Sequence, residues 1–132
     1  MKCVIAGSRD ITDYNLLLLA IEISRSSWLF SEIVSGKAPG VDTLGERYAE
    51  ENEIPLKEFP ANWNRYGRAA GHLRNQQMAK YADFAIILWD GKSAGTKSMI
   101  KYMSDEKKPA FVYRMDGKYA WIGLEYVWWL ND

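Results

Sequence analysis

Three short polar stretches, each following an apolar run and punctuated by glycine, carry side chains suited to holding an anion. They are Gly7-Ser8-Arg9-Asp10, residues 35–42 (SGKAPGVD) and residues 89–98 (WDGKSAGTKS). Glycine lets a backbone approach a ligand closely and adopt positive φ. A helix that starts directly afterwards offers free N–H groups and the positive end of its dipole. Together these suit phosphate. Gly36 to Gly40 would present such groups at the start of one helix. Gly95-Thr96 would add amides and a hydroxyl at the start of another, with Arg9, Lys37 and Lys97 alongside. Gly7 would turn the chain at the ligand-facing edge, with Ser8 and Arg9 pointing their polar groups into the same crevice. Tight strand-to-helix turns use glycine anyway, so the argument rests on several such loops lying on one edge. None is a Walker A motif or a G-x-G-x-x-G fingerprint.

A fourth stretch, residues 62–75 (NWNRYGRAAGHLRN), combines three arginines with two aromatics and two glycines. Arginine grips phosphate bidentately, and an aromatic face stacks on a base. Trp63 or Tyr66 would therefore flank a base or ribose, unless the stretch is a surface loop packed by its own aromatics. His72 is the single histidine and reads as a first-turn helix residue. With one histidine and one cysteine, neither a metal site nor a Ser-His-Asp triad is expected.

The elements that must position these residues alternate. Residues 2–6, 31–35, 55–59, 83–89 and 110–114 read as strands. Residues 14–29, 41–52, 71–80 and 96–105 read as helices, the first capped by Thr12 or Asp13 and buried through Leu16, Leu17, Leu19, Ala20 and Ile23. The run DFAIILW at 83–89 is apolar on both faces, as a central parallel strand requires. This order predicts one α/β domain over residues 1–132: a parallel sheet with helices on both faces. Asp116-Gly117 signals a type I′ hairpin, adding an antiparallel edge strand at 118–122. In such sheets ligands bind beyond the carboxyl ends of the strands, where all the polar stretches lie.

Composition narrows the classes. Seventeen basic and seventeen acidic residues give a net charge of zero, which weighs against nucleic acid held by bulk charge. Cys3 has no disulfide partner and falls in a buried run. No secretory leader or membrane-length apolar run is evident, so a soluble cytoplasmic protein is expected. The C-terminal AWIGLEYVWWLND concentrates Trp121, Tyr126, Trp128, Trp129 and Leu130. These rings would fold back over a sheet face or helix, or join the interface of a homodimer.

Taken together, AGSRD, VSGKAPGVDTLGERYAEE, FPANWNRYGRAAGHLRNQQMAKYAD and LWDGKSAGTKSMI resemble the YspA-like, YpsA-related branch of the SLOG superfamily, from about Lys2 to Val112. That superfamily has a Rossmann-like sheet, which implies here a parallel sheet ordered 3-2-1-4-5, and includes the LOG phosphoribohydrolases, which cut the N-glycosidic bond of nucleoside monophosphates, and the DNA-processing protein DprA. Small free-standing members of the branch occur in bacteria and phages. The resemblance implies ligand contacts from Gly7, Ser8 and Arg9, from Gly36, Gly40 and Asp42, from Arg74 and Asn75, and from Asp90, Gly91, Gly95 and Thr96. One departure matters. LOG enzymes carry a glutamate three residues after the threonine of their glycine-rich motif, and here Met99 stands there. Methionine neither stabilises an oxocarbenium ion nor activates water, which leaves Asp42 or Asp90 as the candidate catalytic carboxylate.

The expected function is binding of a nucleotide or nucleotide-derived ligand, as a sensor or nucleotide-processing protein, with Arg9, Lys37, Gly40 and Gly95-Thr96 on phosphate. The alternatives are N-glycosidic hydrolysis and DprA-like binding of single-stranded DNA through Trp63, Arg65, Tyr66 and Arg68.

Overall fold

The central strands of this chain are apolar on both faces, and each alternate set of their residues finds its own core. The computed structural model describes residues 1–123. Lys2–Gly7 (β1), Glu32–Ser35 (β2), Leu56–Glu58 (β3), Phe84–Trp89 (β4), Ala110–Arg114 (β5) and Tyr119–Ile122 (β6) form one sheet in the order β3-β2-β1-β4-β5-β6. Neighbours among β1 to β5 are parallel, and β6 runs antiparallel to β5. The expected order and edge strand are both present.

Tyr14–Ser24 (α1), Val41–Glu51 (α2), Trp63–Tyr66 (α3), Ala70–Tyr81 (α4) and Ala94–Asp105 (α5) are the helices. Cys3 and Ile5 of β1 pack with Leu17 and Ile21 of α1 and with Leu44 and Tyr48 of α2. Their neighbours Val4 and Ala6 point the other way, onto Met78 of α4 and Met99 and Met103 of α5. The period of two in β1 thus builds a core on each face of the sheet. Burial pushes the Cys3 thiol well above its ordinary pKa, consistent with a structural thiol. No helix among the described residues is long and apolar enough to cross a membrane.

Four details depart from the sequence reading. α1 stops at Ser24 rather than at residue 29, because Arg25 turns left-handed (φ 55°). Ser24 there bonds the Ile21 carbonyl and the Ser26 hydroxyl, each at 2.8 Å, and a short 3-10 turn covers Ser27–Leu29. Leu19 faces solvent, and Ile21 takes its place in the core. The 62–75 stretch is not an open loop: α3 and a 3-10 turn (Gly67–Ala69) lead straight into α4. The hairpin exists, but Asp116 keeps a negative φ, and only Gly117 is positive at 90°. Gly117 N–H bonds the Arg114 carbonyl at 2.9 Å, so the connection is a three-residue turn with a glycine bulge instead of type I′. Trp121 packs on Phe111, centroids 5.4 Å apart. The roles expected of Tyr126, Trp128, Trp129 and Leu130 lie outside the described residues.

Candidate functional site

The carboxyl ends of β1, β2 and β4 converge, and their loops interlock before any ligand is considered. β1 passes β4 so closely at Gly7 that a Cβ would overlap the Leu88 carbonyl and approach Val41 Cγ2 to 2.7 Å. Ser8, next in line, is buried. Its hydroxyl accepts the Asp90 N–H at 3.1 Å, and its carbonyl accepts the Ile11 N–H at 3.3 Å. Ser8 therefore ties the loops together rather than pointing into the crevice as the sequence suggested. Gly40 (φ 81°) closes the same junction, since a Cβ there would strike the Ser8 and Arg9 carbonyls at 2.5 Å.

Asp90 is the organiser of its loop. Its Oδ1 accepts the Lys92 and Ser93 N–H groups, each at 2.8 Å, and these bonds hold its carboxyl below the usual range. Gly91 (φ 82°) turns the loop toward Arg114, away from the cleft lining. Ser93 caps α5, accepting the Thr96 N–H at 3.4 Å and the Thr96 hydroxyl at 3.1 Å.

Asp42 and Arg74 form the chemical centre. Asp42 lies in the first turn of α2 with 4% of its surface exposed. Burial raises its pKa to about 6, against the pull of the Ala38 N–H bond (3.2 Å) and the Arg74 charge. Arg74, from α4, donates to the Gly36 carbonyl through Nη1 and to Asn75 Oδ1 at 2.9 Å through Nε. Burial lowers the Arg74 pKa, Asp42 opposes this, and the nearby Arg9 charge adds to it. Gly36 is needed for this packing, because a Cβ would come within 2.7 Å of Arg74 Nη1 and 2.9 Å of Asp42 Oδ2. Asn75 Nδ2 reaches the Gly95 carbonyl at 3.4 Å, linking the cluster to the start of α5.

Around this centre lies a cleft with two lobes, of about 210 and 220 Å³. The inner lobe has an apolar floor of Ala6, Met78 and Met99, and walls that include Asp42, Asn75, Gly95 and Thr96. The outer lobe runs past Gly36, Lys37, Pro39 and Pro60. Arg9, Ala38, Trp63 and Arg74 line both. Of the sequence candidates, Gly7, Arg9, Gly36, Lys37, Asp42, Trp63, Arg74, Asn75, Gly95 and Thr96 therefore meet at one cleft. Ser8, Gly40, Tyr66, Asp90 and Gly91 are not among its lining residues.

Two lysines differ from expectation in their surroundings. Lys37 is held by Glu46 at 2.8 Å, a bond that raises its pKa. Lys97 lies instead in a separate groove with Ile100 and Tyr119. Conversely, Arg68 and His72 line the inner lobe. Arg68 entered the sequence reading only in the DNA-binding alternative. His72, 3.3 Å from the Tyr102 hydroxyl, was read as an ordinary helix residue. The signal for His72 was its place three residues before Asn75, on the same face of α4.

Comparison with known proteins agrees with this architecture. The sequence profile of the YspA, cpYpsA-related SLOG family matches residues 1–66. The Gene 61 protein of Mycobacterium phage D29 is 31% identical over 108 residues, covering 76% of this chain and 86% of that protein. A solved structure of DNA processing protein A from Helicobacter pylori superposes with a TM-score of 0.60 at 21% identity, over 99% of this chain and 73% of that one. The description of that structure concerns single-stranded DNA binding by the Helicobacter protein. Its likeness to this chain shows a shared fold. With the profile match and the phage relative, the chain belongs to the YspA, cpYpsA-related SLOG family.

Proposed function

We propose that residues 1–132 form one binding unit whose cleft takes a nucleotide or nucleotide-derived small molecule, as a sensor or nucleotide-processing protein. The observation that carries the reading is the pair of arginines shared by both lobes. Arg74 is anchored, while Arg9 has no hydrogen-bond or ion-pair partner among the described residues. A free guanidinium beside a fixed one suits a phosphate, which each can grip through paired N–H groups. Trp63, 51% exposed at the lobe junction, offers a face to a base. Membership of a SLOG family supports the same class of ligand. Isothermal titration with AMP, ADP-ribose, NAD and cyclic dinucleotides tests it. Arg9→Ala is expected to weaken binding about tenfold or more, the worth of a charge-assisted hydrogen bond. No heat with any phosphate-bearing compound at millimolar concentration would reject the reading.

An enzymatic form of this function would use Asp42 in preference to Asp90. Asp42 faces the cleft with a pKa raised to about 6, in the range of a general acid or base, whereas Asp90 is occupied by loop amides. Release of free base from a nucleoside monophosphate, abolished by Asp42→Asn, is the expected outcome. A second reading, binding of single-stranded DNA, is favoured by one observation. Trp63 and Tyr66 (41% exposed) stand with exposed Arg65 and Arg68 on a single short segment. The Helicobacter neighbour weighs toward that reading, and the neutral net charge weighs against it. A homodimer is likewise proposed, with light scattering as its measurement. Its support is β6, whose outer edge pairs with no described strand and which carries exposed Tyr119 and Ile122.

A further inference from the structure

Helix α5 serves two cavities. Thr96 and Met99 line the cleft, while Lys97 and Ile100 line a second groove of about 380 Å³ that shares no lining residue with it. The register of the β5–β6 hairpin decides what this groove is made of. Ala110 pairs with Ile122 and Val112 with Ala120, and the Lys118 carbonyl accepts the Arg114 N–H at 2.8 Å, so these three cross-strand pairs fall on one face. Val112, Ala120 and Ile122 line the groove together with Trp89 and Ile100. The last pair is cationic, Arg114 opposite Lys118, and Lys97 joins them. Like charges directly opposite on a sheet destabilise it. One carboxylate answers them, that of Asp116, 3.2 Å from Arg114. Lys97 and Lys118 have no ion-pair partner among the described residues, and no described lining residue is acidic.

We propose that this groove binds an amphipathic carboxylic acid, an apolar chain or ring system that carries one carboxylate. The apolar body lies along Ile100, Val112, Ala120 and Ile122, and the carboxylate sits among Lys97, Arg114 and Lys118. Removal of the body from water supplies the attraction, and the charge fixes its direction. A polyanion would find cations at one end alone, and a neutral apolar molecule would leave those cations unanswered. This site is independent of the nucleotide reading, since it uses none of the cleft residues.

Octanoate, octanol and acetate, each titrated into the full chain while methyl NMR spectra are recorded, test it. Octanoate is expected to shift the methyl signals of Ile100, Val112, Ala120 and Ile122 saturably. It is expected to bind about tenfold or more tightly than octanol, the worth of a charge-assisted hydrogen bond. Acetate, which lacks the apolar body, is expected to shift none of them at the same concentration. Lys97→Gln combined with Lys118→Gln should bring octanoate down toward octanol. Ala120→Trp should fill the groove and abolish the shifts at Ile100 and Val112. A thermal melt reports on the fold of each variant, and should one melt early, octanoate against octanol in the unaltered chain still decides. Equal affinity for octanoate and octanol overturns the inference, as do octanoate shifts confined to other methyls. Sedimentation with phosphatidylglycerol vesicles, without saturable octanoate binding, reassigns the face to a lipid surface and overturns it too. Octanoate binding gained only on truncation after Gly123 gives the groove to residues 124–132, and binding lost where light scattering reports a dimer gives it to a second copy. Either result overturns the proposal.

Discussion

At the scale of single residues, identical letters in the sequence hide opposite physics. Gly7 and Gly95 both sit in glycine-punctuated turns, yet a Cβ at Gly7 collides with the Leu88 backbone while one at Gly95 enters open space. Gly7→Ala is therefore expected to cost about 3 kcal/mol or more, since backbone cannot yield as a side chain can. Gly95→Ala lies within helix α5 and is expected to be neutral or stabilising by up to about 1 kcal/mol. Urea unfolding of the two variants checks both, and similar losses would contradict the packing described. Asp42 yields a pH prediction. Its folded pKa, about 6, lies above the ordinary carboxyl value of 3.8, so between the two the folded protein holds a proton that the unfolded chain has released. Stability then falls as pH rises from about 4 to about 6 and is flat above, by roughly 2–3 kcal/mol. Asp42→Asn removes this dependence, so the native protein should lose ground to the variant across that window. Parallel stability curves would mean that the carboxylate is not desolvated. The sequence identified Asp42 as a candidate, but not its burial, because that depends on Arg74 arriving from 32 positions away.

At the scale of elements, what was legible followed from periodicity and what was not followed from local geometry. β4 reads directly from its sequence because a strand covered on both faces must be apolar throughout. α3 does not, since a four-residue helix has no period to detect, and its cap is one Asn62 side chain accepting the Arg65 N–H at 3.1 Å. The end of α1 was also hidden. Apolar residues continue through Trp28 and Leu29, and nothing in the pattern reveals that Arg25 adopts φ 55°. That conformation strains a residue with a Cβ and favours glycine. Arg25→Gly is accordingly expected to stabilise the fold by about 0.5–1 kcal/mol, because its main-chain bonds to the Ile21 and Glu22 carbonyls are kept. A lower melting temperature for this variant would show that the Arg25 side chain matters more than the backbone it distorts.

At the scale of the whole molecule, alternation of strands and helices was enough to make the sheet parallel, but its order came with the family resemblance, since the order 2-1-3-4-5 obeys the same right-handed rule. Net charge was a poorer guide. The chain sums to zero, yet Arg9, Arg68 and Arg74 line the inner lobe of the cleft and Asp42 is its one described carboxylate. Charge is thus distributed rather than absent, and its distribution separates the two binding readings. A small ligand bearing one or two phosphates displaces few counterions. A single strand running over Arg65, Arg68, Arg9 and Arg74 would contact several phosphates and displace more, with log K falling by about 0.7 per phosphate for each unit of log salt. Trp63 provides the readout, since a base stacked on an indole half exposed to water should change its fluorescence. For AMP or ADP-ribose the slope is expected to stay shallower than about −2. An oligonucleotide that binds more tightly than either, with a slope steeper than about −3, would reassign the cleft to nucleic acid. The cations would then form one track continuing from Arg9 and Arg74 along α3.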